Sequence, residues 1–229
     1  MSVSVDTVYQ RVLSILNKEQ RGYVTPQEFN LFANQAQMDL FEQYFYDINQ
    51  FGRMHGNDTE FSDMLNILNE KINIFEVTAA MTHAGSGVWT VPANLYRIGT
   101  IIYNNTEVER INKNEFLYIN KSPLTKPSNE RPVFVADSSG YKVYGTAPLE
   151  SGVTCNYIKR PATVEWAGEL VDGTKLQNSA ASVDFELHPS EETELVIKIL
   201  ELAGISTREL QVYQIAAQEE MRNTQQEKS

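Results

Sequence analysis

Residues 95–166 read LYRIGTIIYNNTEVERINKNEFLYINKSPLTKPSNERPVFVADSSGYKVYGTAPLESGVTCNYIKRPATVEW. Apolar and polar residues alternate through this stretch, as they do in strands with one buried face, and Asn, Gly and Pro interrupt it. Segments with helical periodicity flank it on both sides. The stretch holds no cluster of groups that could do chemistry. The sequence therefore predicts an α+β protein whose β-rich middle contacts other parts.

Turn signals divide the first half of the stretch. Leu95–Tyr103 has the pattern of a strand, and Asn104-Asn105 suits a tight turn because asparagine tolerates left-handed backbone. Asn112 with Glu115 predicts a capping box and a short helix. Three prolines between Ser122 and Pro132 exclude a regular helix or a central strand, so we expect an extended loop there.

The second half of the stretch predicts a hairpin and one further strand. Residues 133–135 and 141–144 flank Asp137-Ser138-Ser139-Gly140, which is a turn sequence. Residues 153–158 form the next predicted strand, and Pro161 ends it. Residues 162–184 are expected to be irregular.

Three helices are predicted before the stretch, at residues 6–17, from Thr25 onward, and at 59–72. The second begins with a capping box formed by Thr25 and Glu28, with Pro26 at the first helical position. Strands at 75–79 and 88–91 follow, and Gly85-Ser86-Gly87 is expected to join them as a hairpin turn.

The second helix has an unusually wide apolar face, which suggests contacts on two sides. It is either the central helix of its own bundle or a helix with one side on a neighbouring subunit. The candidate subunit-interface residues are Phe29, Phe32, Phe41, Tyr44 and Phe45. Under the second interpretation, Phe41 or Phe45 changed to Glu should block assembly more than folding.

Helices return at the C-terminus. His188–Glu192 places acidic residues in a first helical turn, and Gly204 suits a C-terminal stop. Another helix is predicted from Ser206, followed by a polar tail at 223–229. The prediction is a single composite domain: helices in 1–73 and 185–229 form a bundle, and residues 74–184 form a β-rich extension.

Composition excludes several classes of protein. The net charge of −11 disfavours sequence-independent binding of nucleic acid, since phosphates repel an acidic surface. The single cysteine, Cys155, excludes an intrachain disulfide and is expected to be a buried or half-buried thiol. We expect no signal peptide and no membrane partner, because no apolar run is long enough to span a bilayer.

The sequence predicts no catalytic, cofactor or metal site. His55, His83 and His188 lie in separate segments without metal-ligand spacing. Glu191, Glu192 and Glu194 are the densest acidic group, and their position suits the positive end of a helix dipole. No phosphate loop, zinc cluster or nucleophile elbow is present, so we do not expect an enzyme.

Several motifs together resemble the head-to-tail connector proteins of short-tailed bacteriophages, which are called adaptor, ring or tail tubular proteins and occur also in crAss-like phages. The N-terminal helices are similar in kind without a specific motif, and with them the resemblance spans about two-thirds of the chain. The motifs themselves are residues 95–99 (LYRIG), 109–111 (ERI), 122–127 (SPLTKP), 131–134 (RPVF), 141–144 (YKVY), 156–161 (NYIKRP), Trp166, 185–192 (FELHPSEE) and 202–204 (LAG).

This resemblance implies a structural virion protein of the neck or tail, assembled in the host cytoplasm. It implies a homo-oligomeric ring, usually a dodecamer, that joins the portal to further tail ring, hub or nozzle proteins and lines the channel through which DNA leaves. An acidic channel wall would let DNA pass without specific binding. Candidate contacts between stacked rings lie in the proline-rich loop and the hairpin turn: Pro123, Leu124, Pro127, Arg131, Ser138 and Ser139.

A different class of function remains open. Aromatic residues make up 10% of the chain, and aromatics on half-exposed elements can contact proteins or stack on sugars. The alternative is a tail-associated carbohydrate- or receptor-binding component that uses the loops around Asn104 and Ser138. Glycan binding by the isolated protein would favour it over the ring.

Overall fold

The computed structural model describes residues 2–18, 24–51, 59–171 and 174–207, together with 218, 221 and 222. Helices and strands are both present, so the predicted α+β class is confirmed. The chain divides into two compact units. The helical unit comprises residues 1–74 and 161–229, and the β unit comprises residues 75–160.

The helices are α1 (Val5–Lys18), α2 (Pro26–Phe51), α3 (Thr59–Asn73), α4 (Lys113–Ile119) and α5 (Glu192–Thr207), with one 3₁₀ turn at Pro189–Glu191. The strands are β1 (Glu76–Ala80), β2 (Thr82–Gly85), β3 (Val88–Thr90), β4 (Leu95–Tyr103), β5 (Thr106–Glu107), β6 (Glu109–Arg110), β7 (Val133–Asp137), β8 (Gly140–Tyr144), β9 (Val153–Lys159), β10 (Gly168–Val171) and β11 (Thr174–Gln177).

The helical unit is built around α2. Helix α2 packs against α3 and α5, and α1 packs against α5. The predicted start of α2 is confirmed: the Thr25 Oγ1 accepts from the Glu28 amide at 3.3 Å, and the Glu28 carboxylate accepts from the Thr25 amide at 2.8 Å. The bond from the Thr25 amide, and a second that the Glu28 carboxylate accepts from the Thr25 hydroxyl, hold the pKa of Glu28 below its usual value.

Helix α5 does not end at Gly204 as predicted. It continues to Thr207, and Gly204 is buried within it. A glycine inside a helix costs only about 1 kcal/mol relative to alanine, and burial of the apolar residues of α5 offsets that cost. Most of the helix predicted from Ser206, and the whole tail at 223–229, lie outside the described residues.

An extended segment, residues 161–166, is held along α2 by side-chain amides. The Asn34 amide donates to the Val164 carbonyl at 2.9 Å and accepts from the Val164 amide at 2.8 Å. Asn30, one turn earlier, makes the same pair of bonds to Trp166 at 3.3 and 2.9 Å. These side chains satisfy the backbone groups of the segment as a neighbouring strand would. Residues 161–166 therefore belong with the helices.

Residues 162–184 are not all irregular, in contrast to the prediction. Strands β10 and β11 pair antiparallel over Gly168–Gln177. The Asp172-Gly173 dipeptide between them is a hairpin signal that the sequence prediction did not use. The observed boundary of the β unit is 160/161, earlier than the predicted boundary at 184, and two compact units replace the predicted single composite domain.

Two sheets form the β unit, with strand orders β1-β9-β4-β5 and β2-β3-β8-β7-β6. Residues of both sheets share one core, whose buried members are Met81, Trp89, Ile101, Val108, Phe134, Val143, Leu149, Val153, Cys155 and Tyr157. The predicted hairpin of β7 and β8 is confirmed by its register from Val133–Tyr144 to Asp137–Gly140. Predicted strands β4 and β9 are also present and pair with each other.

Single buried residues mark the points where the chain passes between the two sheets. Val108 separates β5, which pairs with β4, from β6, which pairs parallel to β7. Met81 separates β1 from β2 in the same way. The predicted hairpin at residues 75–91 is therefore corrected: the Gly85–Gly87 turn joins β2 to β3, and β1 pairs with β9 instead.

Candidate assembly surfaces

Helix α2 has two distinct faces. The inner face is buried in the core and includes Phe29, Ala33, Ala36, Leu40, Phe41 and Tyr44. The opposite stripe, which we call the α2 outer face, consists of exposed or half-buried residues at spacings of three, four and seven: Leu31, Gln35, Met38, Asp39, Glu42, Phe45, Tyr46 and Asn49. On it, 71% of Leu31 and 64% of Tyr46 are exposed.

The structure corrects the candidate subunit-interface residues. Phe29 and Phe41 are 0% exposed and Tyr44 is 3% exposed, so these three side chains fill the protein's own core. Phe32 and Phe45 are half-buried, and the Phe45 ring lies edge-on to Phe41 with 5.1 Å between centroids. A glutamate at position 41 is therefore expected to unfold the helical unit, contrary to the expectation from sequence.

The candidate interface residues did not include Leu31 or Tyr46, because the other apolar residues of α2 were treated as a single wide face. A projection of the sequence at 3.6 residues per turn separates them, since Leu31 and Tyr46 fall opposite Leu40 and Tyr44. The outer face also has one sign of charge. Helix α2 contains four carboxylates and no Lys, Arg or His.

A second apolar surface lies on α4 and the turns that follow it. The helix begins at Lys113, where the Glu115 carboxylate accepts from the Asn112 amide at 2.9 Å. Phe116 stacks on Tyr144 with 4.3 Å between ring centroids, and this contact fixes α4 on the five-stranded sheet. Leu117 and Tyr118 point away from that contact and are 61% and 74% exposed.

Backbone hydrogen bonds fix the turns after α4. The Lys121 amide donates to the Tyr118 carbonyl at 3.1 Å, and the Lys126 amide donates to the Ser122 carbonyl at 3.0 Å. Leu124, within this bonded segment, is 92% exposed. An ordered loop thus presents an apolar side chain to solvent. We call Leu117, Tyr118, Lys121, Leu124 and Lys126 the α4 patch.

The candidate inter-ring residues are exposed with one exception. Pro123, Leu124, Arg131, Ser138 and Ser139 are exposed, whereas Pro127 is buried. Pro127 is therefore corrected to a structural residue. The loop that contains it is closed on itself by the Arg131 amide, which donates to the Ser128 carbonyl at 3.1 Å, and is held by Asn129, which accepts from the Thr146 amide at 3.0 Å.

An ion pair joins the α4 helix to the hairpin turn. Lys113 Nζ lies 3.0 Å from Asp137 Oδ1, which also accepts from the Ser138 amide at 2.8 Å. Both bonds hold the pKa of the Asp137 carboxyl below its usual value, and the bond from Lys113 has the larger effect. The structure thus brings the predicted turn residues Ser138 and Ser139 close to the start of α4.

The charge of the chain is unevenly distributed. The β unit carries nine Lys and Arg against seven Asp and Glu, a net charge of +2. The helical unit carries ten against 23, a net charge of −13. Neither Lys121 nor Lys126 has an ion-pair partner in the described part of the chain.

The acidic group at the start of α5 is structural. Glu191 is buried and lies 2.7 Å from Lys71 Nζ, and Glu192 lies 2.9 Å from Arg11 Nη1. His188 accepts from the Ser190 amide at 3.2 Å and so caps the 3₁₀ turn. Among the described residues, no group of three or more His, Cys, Asp and Glu could hold a metal ion. His55 lies outside the described residues.

The single cysteine is buried, as the sequence predicts. Cys155 is 0% exposed in the core of the β unit, and burial raises the pKa of its thiol.

None of the described helices is both long and apolar enough to cross a membrane. No protein-family model matches the sequence, and no curated protein matches it significantly.

Proposed function

We propose that this chain is a structural subunit that forms a closed homo-oligomeric ring in the neck of a short-tailed phage, joins the portal to the tail and surrounds the exit path of the DNA. The N- and C-terminal helices form a bundle that closes the ring, and the β unit contacts adjacent components. The observation that carries the proposal is the α2 outer face, on which large apolar side chains remain in water along a long, well-packed helix.

Exposure of this kind is typical of a surface that is covered on assembly. Leu31 and Tyr46 lie about 22 Å apart along the helix axis at 1.5 Å per residue, with half-buried Met38 and Phe45 between them. Aromatic residues and methionine are enriched in the cores of protein interfaces, and Met38, Phe45 and Tyr46 supply them on this stripe. A ring subunit needs such a surface because every copy contacts two neighbours.

The acidic helical unit supports the passage of DNA without binding. A wall of net negative charge repels phosphates, so a duplex would slide past it instead of being retained. Cryo-electron microscopy of the assembled ring tests this part of the proposal. Channel-facing residues that are mainly Lys and Arg would contradict it.

Mutation of the α2 outer face tests assembly directly. Tyr46→Glu is expected to abolish assembly, with at least a tenfold weaker self-association, because the new carboxylate has to be desolvated in the contact. Mass photometry over a concentration series measures the oligomer, and circular dichroism measures folding.

Ile67→Glu provides the matched control, since Ile67 is 47% exposed on α3, outside the α2 outer face. It should leave assembly unchanged. Phe41→Glu should instead lose helical signal, because that side chain is in the core. Wild-type protein that remains monomeric up to its solubility limit would contradict the proposed function.

A further inference from the structure

We propose that the α4 patch docks on the α2 outer face of a second copy of this chain. The inference rests on the proposed function, because it names the two surfaces that meet where neighbouring ring subunits join. The β unit of each copy would contact the helical unit of the next.

The chemistry of the α4 patch indicates an acidic, apolar partner. Leu117, Tyr118 and Leu124 are each more than half exposed, and two lysines lie between and beside them in the sequence. Backbone hydrogen bonds fix the loop, so little backbone entropy is lost when these side chains are covered. Lys121 and Lys126 have no ion-pair partner in the part of the chain that the structure describes, and both remain available for carboxylates.

The α2 outer face has the complementary chemistry. Its exposed apolar residues, Leu31 and Tyr46, lie on either side of Asp39 and Glu42. The Asp39 carboxylate accepts from the Gln35 amide at 2.9 Å, a neutral donor that leaves its negative charge uncompensated by that contact. Since α2 has no cationic residue of its own, lysines from another surface can supply the missing positive charge.

Charge also selects between the possible contacts of two copies. A symmetric contact of two α2 outer faces would bring carboxylates against carboxylates within two units of net charge −13. Like charges placed opposite each other in an interface disfavour the contact. A contact of the α4 patch with the α2 outer face joins a +2 unit to a −13 unit. Such a contact is heterologous, and a heterologous contact generates a ring when its rotation closes.

Two complementary variants test the inference. The patch variant carries Tyr118→Ser with Lys121→Glu, and the face variant carries Leu31→Glu with Tyr46→Glu. All four residues are exposed, so both variants are expected to fold, as circular dichroism can verify. Each variant alone should be monomeric, because a ring needs both surfaces on every subunit.

An equimolar mixture of the two variants should form dimers and nothing larger. The face variant keeps an intact α4 patch, and the patch variant keeps an intact α2 outer face. One such contact joins the two molecules, and neither then has a second surface with which to bind a third. Sedimentation velocity measures the dimer. Arg97→Glu, an exposed charge reversal on β4, is the matched control for the patch variant and should assemble as the wild type does.

A charge swap provides an independent measurement. Lys121→Glu with Lys126→Glu should weaken self-association at least tenfold, and adding Asp39→Lys and Glu42→Lys to the same chain should restore it, because every contact then joins an acidic patch to a basic face. The restored assembly should weaken as salt rises, because screening acts on exposed charges. Restoration at low salt supports the pairing of these four residues.

The outcomes separate this inference from the proposed function. A patch variant that assembles like the wild type, or a mixture that stays monomeric, overturns the inference while the ring proposal stands. A face variant that is monomeric beside a patch variant that assembles would indicate a symmetric α2 contact and also overturns it. Wild-type protein that never assembles contradicts the proposed function itself.

Discussion

At the residue scale, asparagine side chains determine where a piece of irregular chain belongs. Asn30 and Asn34 each present a donor and an acceptor to one backbone residue of the segment 161–166. A side-chain amide carries a donor and an acceptor side by side, so it can bond the carbonyl and the amide of one backbone residue. Because these bonds join residues far apart in sequence, no local pattern could have predicted them.

Replacement of Asn34 by Asp tests this role. Asp keeps the acceptor for the Val164 amide but loses the donor to the Val164 carbonyl, and places a carboxylate against that oxygen. We expect the free energy of unfolding to fall by about 2 kcal/mol, as for an unsatisfied, partly buried polar group. Urea denaturation followed by circular dichroism measures the change.

Asn49→Asp is the matched control for this substitution. Asn49 is exposed on the same helix, and its amide bonds only the Phe45 carbonyl within α2. Its replacement should change stability by less than about 0.5 kcal/mol, the usual range for surface substitutions. Equal losses in the two variants would show that the extended segment does not depend on Asn34.

At the element scale, the predictions succeeded where a local signal sufficed. The capping box of Thr25 and Glu28 and the Asp137–Gly140 turn were identified correctly because the bonds that form them join residues a few positions apart. The predicted partner strand of β1 was wrong, because β1 pairs with β9, which lies at the other end of the β unit in sequence. The buried and exposed faces of α2 could have been separated by helical projection, but their packing partners could not.

Two ion pairs link helices to the start of α5 and differ in burial. The side chains of Lys71 and Glu191 are 16% and 4% exposed, and Lys71 also lies 5.5 Å from the Tyr44 ring centroid. The side chains of Arg11 and Glu192 are 53% and 30% exposed. Water therefore screens the second pair and not the first.

Alanine substitutions should reveal that difference. Lys71→Ala leaves the Glu191 carboxylate buried beside one hydroxyl donor, Ser190 Oγ at 3.0 Å, and should cost about 3 kcal/mol. Arg11→Ala should cost less than about 1 kcal/mol because its pair is exposed. Thermal and urea unfolding of both variants at neutral pH provide the comparison. A loss for Arg11→Ala as large as that for Lys71→Ala would contradict the assignment.

At the scale of the whole molecule, the β unit is an insertion in the helical unit. The chain enters it at Phe75 and leaves it at Arg160, and these ends are neighbours because the Lys159 amide donates to the Phe75 carbonyl at 2.8 Å. Strands β1 and β9 pair in register from Glu76–Ile158 onward. An insertion with adjacent ends can be removed without stretching its host.

Excision of the β unit is therefore expected to leave both parts folded. Residues 75–160 expressed alone should give the spectrum of a β protein, and a chain in which a short Gly-Ser linker joins residue 74 to residue 161 should keep its helical signal. Circular dichroism and cooperative thermal unfolding measure both. A helical unit that loses cooperativity without the insertion would show that the two units fold only together.

The insertion also determines the order in which the packing partners of the helical unit are synthesised. The ribosome releases α1, α2 and α3 first, but α5, which packs against α1 and α2, is synthesised only after the entire β unit. At typical synthesis rates roughly 7–30 s pass between the synthesis of α2 and that of α5, and until then α5 cannot bury the inner face of α2. During that time the β unit can complete its own core, while the nascent helices expose Phe29 and Leu40 to the chaperones of the cell.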